Sequence, residues 1–347
     1  MTRKPLLVRF LLAAAALCAP VAAQTPLFTD GPAFGGSKVF SEGMNPLANP
    51  ARFAQAPTGY YFSYLDGDQR AQDNKSILAA SVTDPTQLPR LADAPWALRT
   101  RAYGFSSVQN SANLTLTREE LNSMLYVPQP GISDGYMDGR RAVVDRLGMG
   151  GGGPLQTGST TALGVNLRVE RWEMGRTIEN YDFAGPGAAG FASAESDLLG
   201  ASGTSFKSWN IGLDGGLVME MAQGVRLGVT ADQLLPKHLW DVYLQPQFRA
   251  GLQLDLGQST RLGLESDINA VERMPIPARQ QSSSASLRFG FSQAATILVG
   301  VERRKIDDAP VTVVGATLQI RTSSLLVGVG FQASQDRPMK GATLMVN

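Results

Sequence analysis

Hydrophobic and polar residues alternate one by one over long stretches of the second half of the chain. In 240–256 one set of alternate positions is apolar, from Trp240 and Val242 to Leu254 and Leu256, whereas Gln247, Arg249, Gln253 and Asp255 occupy the other set. A period of two residues places the apolar positions on one face of an extended strand. The pattern therefore predicts β-strands with one apolar and one polar face.

The same alternation recurs often enough to predict a large antiparallel sheet. Nine candidate strands lie between Trp209 and Asn347, and five more are predicted at 60–65, 77–82, 102–108, 112–117 and 163–169. In the second half, short connections at 222–224, 257–260, 292–294 and 321–323 alternate with longer ones at 232–239, 269–283, 303–310 and 332–340. An even strand number with short turns on one side and longer loops on the other is typical of bacterial outer-membrane barrels. We therefore predict an all-β fold, a transmembrane antiparallel β-barrel of about 14 strands.

A soluble β-sandwich also alternates, and three observations favour a barrel in lipid over it. Several segments match or exceed the roughly 9–11 residues that a tilted membrane strand needs. Beyond the N-terminal leader no apolar stretch is long enough for a membrane helix, and in lipid only helices and closed barrels satisfy the backbone. Glycines of the predicted strands, such as Gly216, Gly228 and Gly251, fall on the polar face, where a plug in the lumen could approach the wall.

The N-terminus predicts export. Arg3, Lys4 and Arg9 precede an apolar run at 10–17, and the small residues of 21–23 come before Gln24, so residues 1–23 form a predicted signal peptide. The single cysteine, Cys18, lies within it. Of 31 basic and 30 acidic residues, loss of the three leader cations leaves 28 against 30, and this near-neutral balance argues against nucleic-acid binding.

Catalytic chemistry finds little support in the sequence. His238 is the only histidine and lies in a predicted loop, so an outer-membrane hydrolase is a disfavoured alternative and we predict no enzyme, metal or cofactor. Gly148–Gly153 matches a dinucleotide-binding pattern but lacks the flanking strand and helix, so a flexible linker is expected. The stretches 118–126 and 139–147 look helical, and 118–161 is predicted to be a partly helical, glycine-rich insert in the barrel.

One motif resembles a known family. Asn49-Pro50-Ala51 follows small residues and leads into the first predicted strand, and this resembles the N-terminal hatch of FadL/OMPP1-type outer-membrane transporters. The stretches 232–237, 244–251 and 262–267 are similar to the TraF-like conjugal transfer branch. The resemblance implies a barrel over 60–347, a hatch over 24–59 in which Asn49, Pro50 and Ala51 close the lumen, and passage of a client.

Two functions remain open at this point. The first is an outer-membrane barrel, in a Gram-negative cell envelope, that transports or shuttles a hydrophobic small molecule or a polypeptide through a hatch-gated lumen. The second is a structural or docking component of a conjugation or secretion apparatus without channel activity. Both place the chain in outer-membrane lipid, and the polar faces of the strands predict lumen-facing side chains at Arg226, Gln247, Arg249, Gln253, Asp255, Glu265 and Arg288.

Overall fold

The computed structural model describes residues 36–41, 48–68, 97–128, 135–181, 204–239, 242–273, 278–292, 294–306, 309–334 and 339–346. Its strands are β1 (Gly59–Asp68), β2 (Ala97–Gln109), β3 (Ala112–Pro128), β4 (Gly135–Pro154), β5 (Thr161–Tyr181), β6 (Thr204–Ala222), β7 (Val225–Asp232), β8 (Lys237–Leu239), β9 (Val242–Leu244), β10 (Gln247–Asp255), β11 (Thr260–Asp267), β12 (Val271–Arg273), β13 (Ala278–Gly290), β14 (Ala295–Ile306), β15 (Ala309–Arg321), β16 (Leu325–Ser334) and β17 (Met339–Val346). A short 3-10 helix, Pro50–Gln55, precedes β1. The predicted signal peptide and the predicted strand at 77–82 lie outside the described residues.

Within the described residues, fourteen strands pair in antiparallel order into a closed ring. Each strand from β1 to β7 pairs with the next, β7 pairs with β10, β10 with β11, β11 with β13, and the order continues to β17, which returns to β1. The short strand β12 extends one edge of β13, and β8 and β9 form a separate hairpin. The predicted fold class, a barrel of about 14 strands, is confirmed.

Side chains alternate between the two faces of the wall in the opposite sense to a soluble protein. On β6, Trp209 and Ile211 point outward with 72% and 57% of their surface exposed, whereas Asp214 is buried on the inside. On β10, Phe248 is exposed and its neighbours Gln247 and Arg249 are buried. The exterior is therefore apolar and the interior polar, which suits a wall that is solvated by acyl chains.

The predicted helical insert at 118–161 is wrong. Ala112–Pro128 and Gly135–Pro154 are two long paired strands, and Gly148–Gly153, predicted to be a linker, lies inside the second of them. The alternation is disguised there because the exposed face of β3 changes from leucine to charged residues beyond Leu116, while the buried face carries both Glu119 and Leu121. A polar/apolar pattern therefore loses its period even though the backbone continues as a strand.

Three other sequence predictions need correction. The alternating segment 240–256 is interrupted, because β9 ends at Leu244 and β10 starts at Gln247. The longer loops predicted at 303–310 and 332–340 are mostly strand, since β14 reaches Ile306, β15 begins at Ala309, and β16 and β17 extend to Ser334 and from Met339. The ring has the predicted number of 14 strands, but the prediction missed β4 and counted instead the segment 77–82, which lies outside the described residues.

The wall is much taller on one side than on the other. Strands β3 to β6 contain 17, 20, 21 and 19 residues, whereas β7, β10 and β11 contain eight, nine and eight. The short connections 110–111, 223–224 and 256–259 lie at the end where β1 begins and β17 ends. The extra length of β3 to β6 therefore extends towards the opposite end, where the longer connections lie.

Candidate functional site

Two short N-terminal segments lie inside the barrel and together form what we call the hatch, residues 36–41 and 48–56. Val39, Phe40, Ala51 and Phe53 are almost completely buried, although none of them belongs to the wall. Burial of these apolar side chains stabilises the segment in the lumen by roughly 1.5–3 kcal/mol for each large one. Contacts of the 3-10 helix with β4, β5 and β6 fix its position against one part of the wall.

Asn49 joins the two segments of the hatch. Its side-chain oxygen accepts a hydrogen bond from the Ala51 N–H at 2.9 Å and so caps the 3-10 helix, and its Nδ2 donates to the Val39 carbonyl at 2.6 Å. Its own N–H donates to the Ser41 hydroxyl at 2.8 Å. Asparagine is favoured at an N-cap, and proline is favoured at the first helical position, which Pro50 occupies here. The Asn-Pro-Ala sequence therefore forms the turn and also ties it to the preceding segment.

Glycines of the wall lie where the hatch packs against it. Gly152, Gly164 and Gly216 lie opposite one another on β4, β5 and β6, and a Cβ atom at any of them would overlap Asn49 or Pro50. On β7 and β10, a Cβ at Gly228 would lie 2.5 Å from Val39 Cγ1 and one at Gly251 3.1 Å from Val39 Cβ. Glycine is required at Gly152, Gly164 and Gly216, because Asn49 and Pro50 lie directly against the backbone of the wall there. At Gly228 and Gly251 a Cβ would meet side chains of the hatch, which would have to shift.

Charged side chains of the wall hold the first hatch segment. The Glu265 carboxylate accepts hydrogen bonds from the Ser37 hydroxyl, from the Val39 N–H at 3.0 Å and from the Lys38 N–H at 3.3 Å. Lys38 also forms an ion pair with Asp232 at the end of β7. All of these groups except Asp232 are buried, so the bonds are not weakened by competition with bulk water.

Arg249 supports Glu265 from the wall side. Its guanidinium lies 3.6 Å from Glu265, donates to Asp267 at 2.7 Å and to the Ser282 hydroxyl, and lies 3.8 Å from Glu302. An arginine that is shared among three carboxylates fixes their side chains in place. The carboxylate that holds the hatch is therefore itself held by a network across β10, β11, β13 and β14.

A second buried network lies on the tall side of the wall, around Glu170. Arg146, Arg168 and Lys237 all pair with its carboxylate, and the indole N–H of Trp172 donates to it at 2.8 Å. The network extends through Arg146 to Glu119 at 2.7 Å, and through Arg168 to Asp214 and Gln233.

The β8–β9 hairpin covers this second network. Leu239 and Leu244 are buried in one apolar cluster with Leu121, Val144 and Trp172 of the tall wall. Lys237 brings its ammonium to Glu170 and to within 5.7 Å of the Trp172 ring centroid. Burial lowers the pKa of Lys237 to about 8, and the nearby Glu170 opposes this shift. The hairpin thus crosses from β7 and β10 on the low side to the interior of the tall side.

The predicted site residues fall into three groups. Asn49, Pro50 and Ala51 lie together in the hatch, and Arg249 and Glu265 meet beside it. Arg226 donates to Gln253 at 2.9 Å and pairs with Asp255 at 3.0 Å near the short-turn end, away from the hatch contacts. Gln247 is buried at the start of β10, and Arg288 is half-buried on β13.

Other residues that hold the hatch and the hairpin were not predicted. Arg168 and Glu170 alternate with Leu167 and Val169, so the rule that selected Arg249 could have found them. Lys38 and Lys237 lie outside the alternating strands, and nothing in the local sequence indicates their partners.

The chain has the fold of FadL-type barrels, as comparison with solved structures shows. It matches a structure described as "CymD monoaromatic hydrocarbon channel" with a TM-score of 0.54 and 11% identity, covering 93% of this chain and 97% of that one. It matches the Pseudomonas putida toluene transporter TodX with a TM-score of 0.51 and 10% identity over 86% and 92%. A Pseudomonas aeruginosa FadL homologue matches with a TM-score of 0.51 and 10% identity over 94% and 98%.

No family model and no curated protein matches the sequence. At identities near 10%, the structural similarity defines the fold alone. Among the described residues, no helix is both long and apolar enough to cross a bilayer.

Proposed function

We propose that this chain is an outer-membrane channel that carries a small hydrophobic compound into the cell and whose lumen is closed by the hatch. The observation that carries the proposal is the seating of Asn49-Pro50-Ala51 on Gly152, Gly164 and Gly216. This packing fixes the position of the hatch against one side of the wall. Within the described residues, however, the hatch is covalently joined to the wall only by the chain at 56–58, which leads into β1. The hatch can therefore move away from the glycines without unfolding the barrel.

The similar structures support a hydrophobic client. Those proteins are described as a monoaromatic hydrocarbon channel and a toluene transporter. In this chain an apolar cluster inside the barrel includes Leu121, Trp172 and Met174 of the tall side and Leu65 of β1. An aromatic hydrocarbon is compatible with such a surface, because transfer of apolar area out of water is favourable.

The resemblance to TraF-like conjugal transfer proteins, and a docking role in a conjugation or secretion apparatus, stay predictions from the sequence. The transport proposal differs from them in requiring a lumen that opens. Measurement of conductance and of uptake therefore separates the two functions.

The test compares two substitutions on one strand. Gly164→Leu places a side chain where Pro50 lies, whereas a Cβ at Gly175, also on β5, has no atom within 4 Å. We expect Gly164→Leu to displace the hatch and to raise single-channel conductance in planar bilayers well above that of the native chain. Gly175→Leu should conduct like the native chain.

Uptake provides the second measurement. Cells that express the native chain should accumulate radiolabelled toluene faster than cells without it. If the native barrel already conducts as well as Gly164→Leu, the hatch does not close the lumen. If neither uptake nor conductance depends on the chain, the transport function is wrong and the docking role is favoured.

A further inference from the structure

The outward face of β1 to β6 is layered. Cross-strand pairing aligns three rows of side chains, one per strand from β1 to β6. The apolar row is Phe62, Phe105, Leu116, Leu147, Val169 and Ile211; the middle row is Tyr64, Tyr103, Arg118, Asp145, Arg171 and Trp209; the charged row is Asp66, Arg101, Glu120, Val143, Glu173 and Lys207. Within four residues along each strand, the exterior thus changes from fully apolar to mostly charged.

This change locates the boundary of the lipid layer. An outward arginine or lysine costs about 2–4 kcal/mol at the bilayer midplane and about 0–1 kcal/mol near the interface. Aromatic residues gather near this boundary in barrels, and Tyr64, Tyr103 and Trp209 belong to the middle row. The charged row lies on the side of the apolar row away from the short turns, which are periplasmic in outer-membrane barrels, so this boundary belongs to the outer leaflet.

A groove of about 560 Å³ opens on the outward wall at this boundary. Leu116, Leu147 and Val169 form its apolar floor, and Tyr103 and Trp209 stand at its two sides. Arg118, Asp145 and Arg171 lie along its upper rim. The groove therefore combines an acyl-compatible floor with a rim that carries two cations and one anion.

The two arginines retain capacity to bind an anion. Arg118 places Nε 3.3 Å from Glu120 and Nη1 3.0 Å from Asp145, and about half of its side chain is exposed. Among the described residues, Arg171 has Glu173 as its charged partner at 3.8 Å, which is too long for a hydrogen bond. Strands lie roughly 4.8 Å apart, so two arginines on either side of Asp145 are on the order of 10 Å apart. Guanidinium groups bind phosphate in a bidentate manner.

We propose that this groove binds a phosphorylated lipid of the outer leaflet, of the lipopolysaccharide class. Its phosphate groups bind Arg171 and Arg118, and its acyl chains lie on Leu116, Leu147 and Val169, with Tyr103 and Trp209 on either side. The proposal goes beyond transport and rests only on the membrane placement that transport also requires. It identifies a lipid that stays bound to the wall and is not the client.

The test measures binding of purified lipopolysaccharide to the full chain in phosphatidylcholine nanodiscs, by native mass spectrometry across a titration. We expect the double variant R118Q/R171Q to bind lipopolysaccharide about tenfold more weakly or worse, since two charge-assisted contacts are lost. The matched control is R303Q, because Arg303 is an exposed arginine on β14, on another part of the wall. A second variant, Val169→Trp, fills the groove without changing charge and should also weaken binding.

Each other outcome overturns the proposal. Equal binding by native chain and R118Q/R171Q, or equal loss in R303Q, would remove the site. The same arginine dependence for phosphatidylglycerol would show a general site for anionic lipids, and effective competition by inorganic phosphate would show a phosphate site without lipid recognition. Neither arginine contacts the hatch, so conductance and toluene uptake test the transport function separately.

Discussion

At the scale of single residues, one carboxylate holds the first hatch segment against the wall. Glu265 faces three donors of the hatch on one side and Arg249 on the other, and all of these groups are buried. A buried donor that loses its acceptor costs on the order of 1–3 kcal/mol. Loss of this one wall residue would leave three buried donors of the hatch without their acceptor.

We expect Glu265→Gln to loosen the hatch. Glutamine offers one acceptor oxygen instead of two and turns an amide donor towards donors of the hatch. Hydrogen exchange of the backbone at residues 37–41, measured by mass spectrometry in detergent, should become faster. Glu302→Gln is the matched control, because Glu302 belongs to the same arginine network but does not contact the hatch. Equal exchange in both variants would contradict a specific role for Glu265.

At the scale of elements, the β8–β9 hairpin forms a sheet of its own and pairs with no strand of the ring among the described residues. Its two strands pair only with each other in their own sheet, and its contacts to the tall wall run through Lys237, Leu239 and Leu244. Lys237 has its pKa lowered to about 8 from an ordinary 10.5 because it is buried. Docking therefore disfavours the protonated form, and the undocked hairpin binds the proton more strongly.

The sign of the pH dependence follows from this shift. Because the docked pKa is the lower one, docking gains stability as pH rises from about 8 to 10.5 and loses it as pH falls through 8. A spin label at the exposed Leu235 should become less mobile over that rise, as measured by electron paramagnetic resonance. In Lys237→Met the dependence in this window should vanish. Mobility that increases with pH in the native chain would contradict the prediction.

Elements differ in how well the sequence alone predicts them, and the reason is physical. Strands such as β6 and β10 lie where one face meets acyl chains, so Trp209, Ile211 and Phe248 alternate cleanly with polar neighbours. The upper parts of β3 and β4 stand beyond the apolar row, and there each face mixes charged and apolar residues: Glu119 and Leu121 face inward, and Glu120 and Val143 face outward. No hydrophobic period remains.

The site shows the same division. Asn49, Pro50 and Ala51 are assigned to a hatch through the resemblance to FadL/OMPP1-type transporters, because their residue types alone indicate only a turn. Arg249 and Glu265 could be predicted because a charge avoids the lipid face. The hydrogen bonds from the backbone N–H groups of Lys38 and Val39 to Glu265 join positions 226 or more apart in sequence, and only the closed barrel brings them together.

At the scale of the whole molecule, the wall has an apolar outer face and a polar inner face. Substitutions on the two faces of one strand therefore test whether the outer face meets lipid. Val299 points outward in the middle of β14, whereas Thr296 on the same strand points inward. We expect Val299→Arg to destabilise the barrel in lipid vesicles by roughly 2–4 kcal/mol if it lies near the midplane.

Thr296→Arg should have a much smaller effect, because its side chain enters a polar interior. Equilibrium unfolding in urea, followed by tryptophan fluorescence and gel mobility with and without heating, measures both. Equal stability of the two variants would mean that the outward face does not meet acyl chains.

The unequal height of the wall has a consequence for the route by which a molecule enters. At about 3.3 Å per residue and a tilt near 40°, the 21 residues of β5 rise roughly 30 Å further than the nine of β10. The outer rim of the barrel is therefore oblique, high along β3 to β6 and low along β7, β10 and β11. If the barrel carries a hydrophobic compound, as proposed, we expect that compound to enter from the outer leaflet over the low rim, where the β8–β9 hairpin lies.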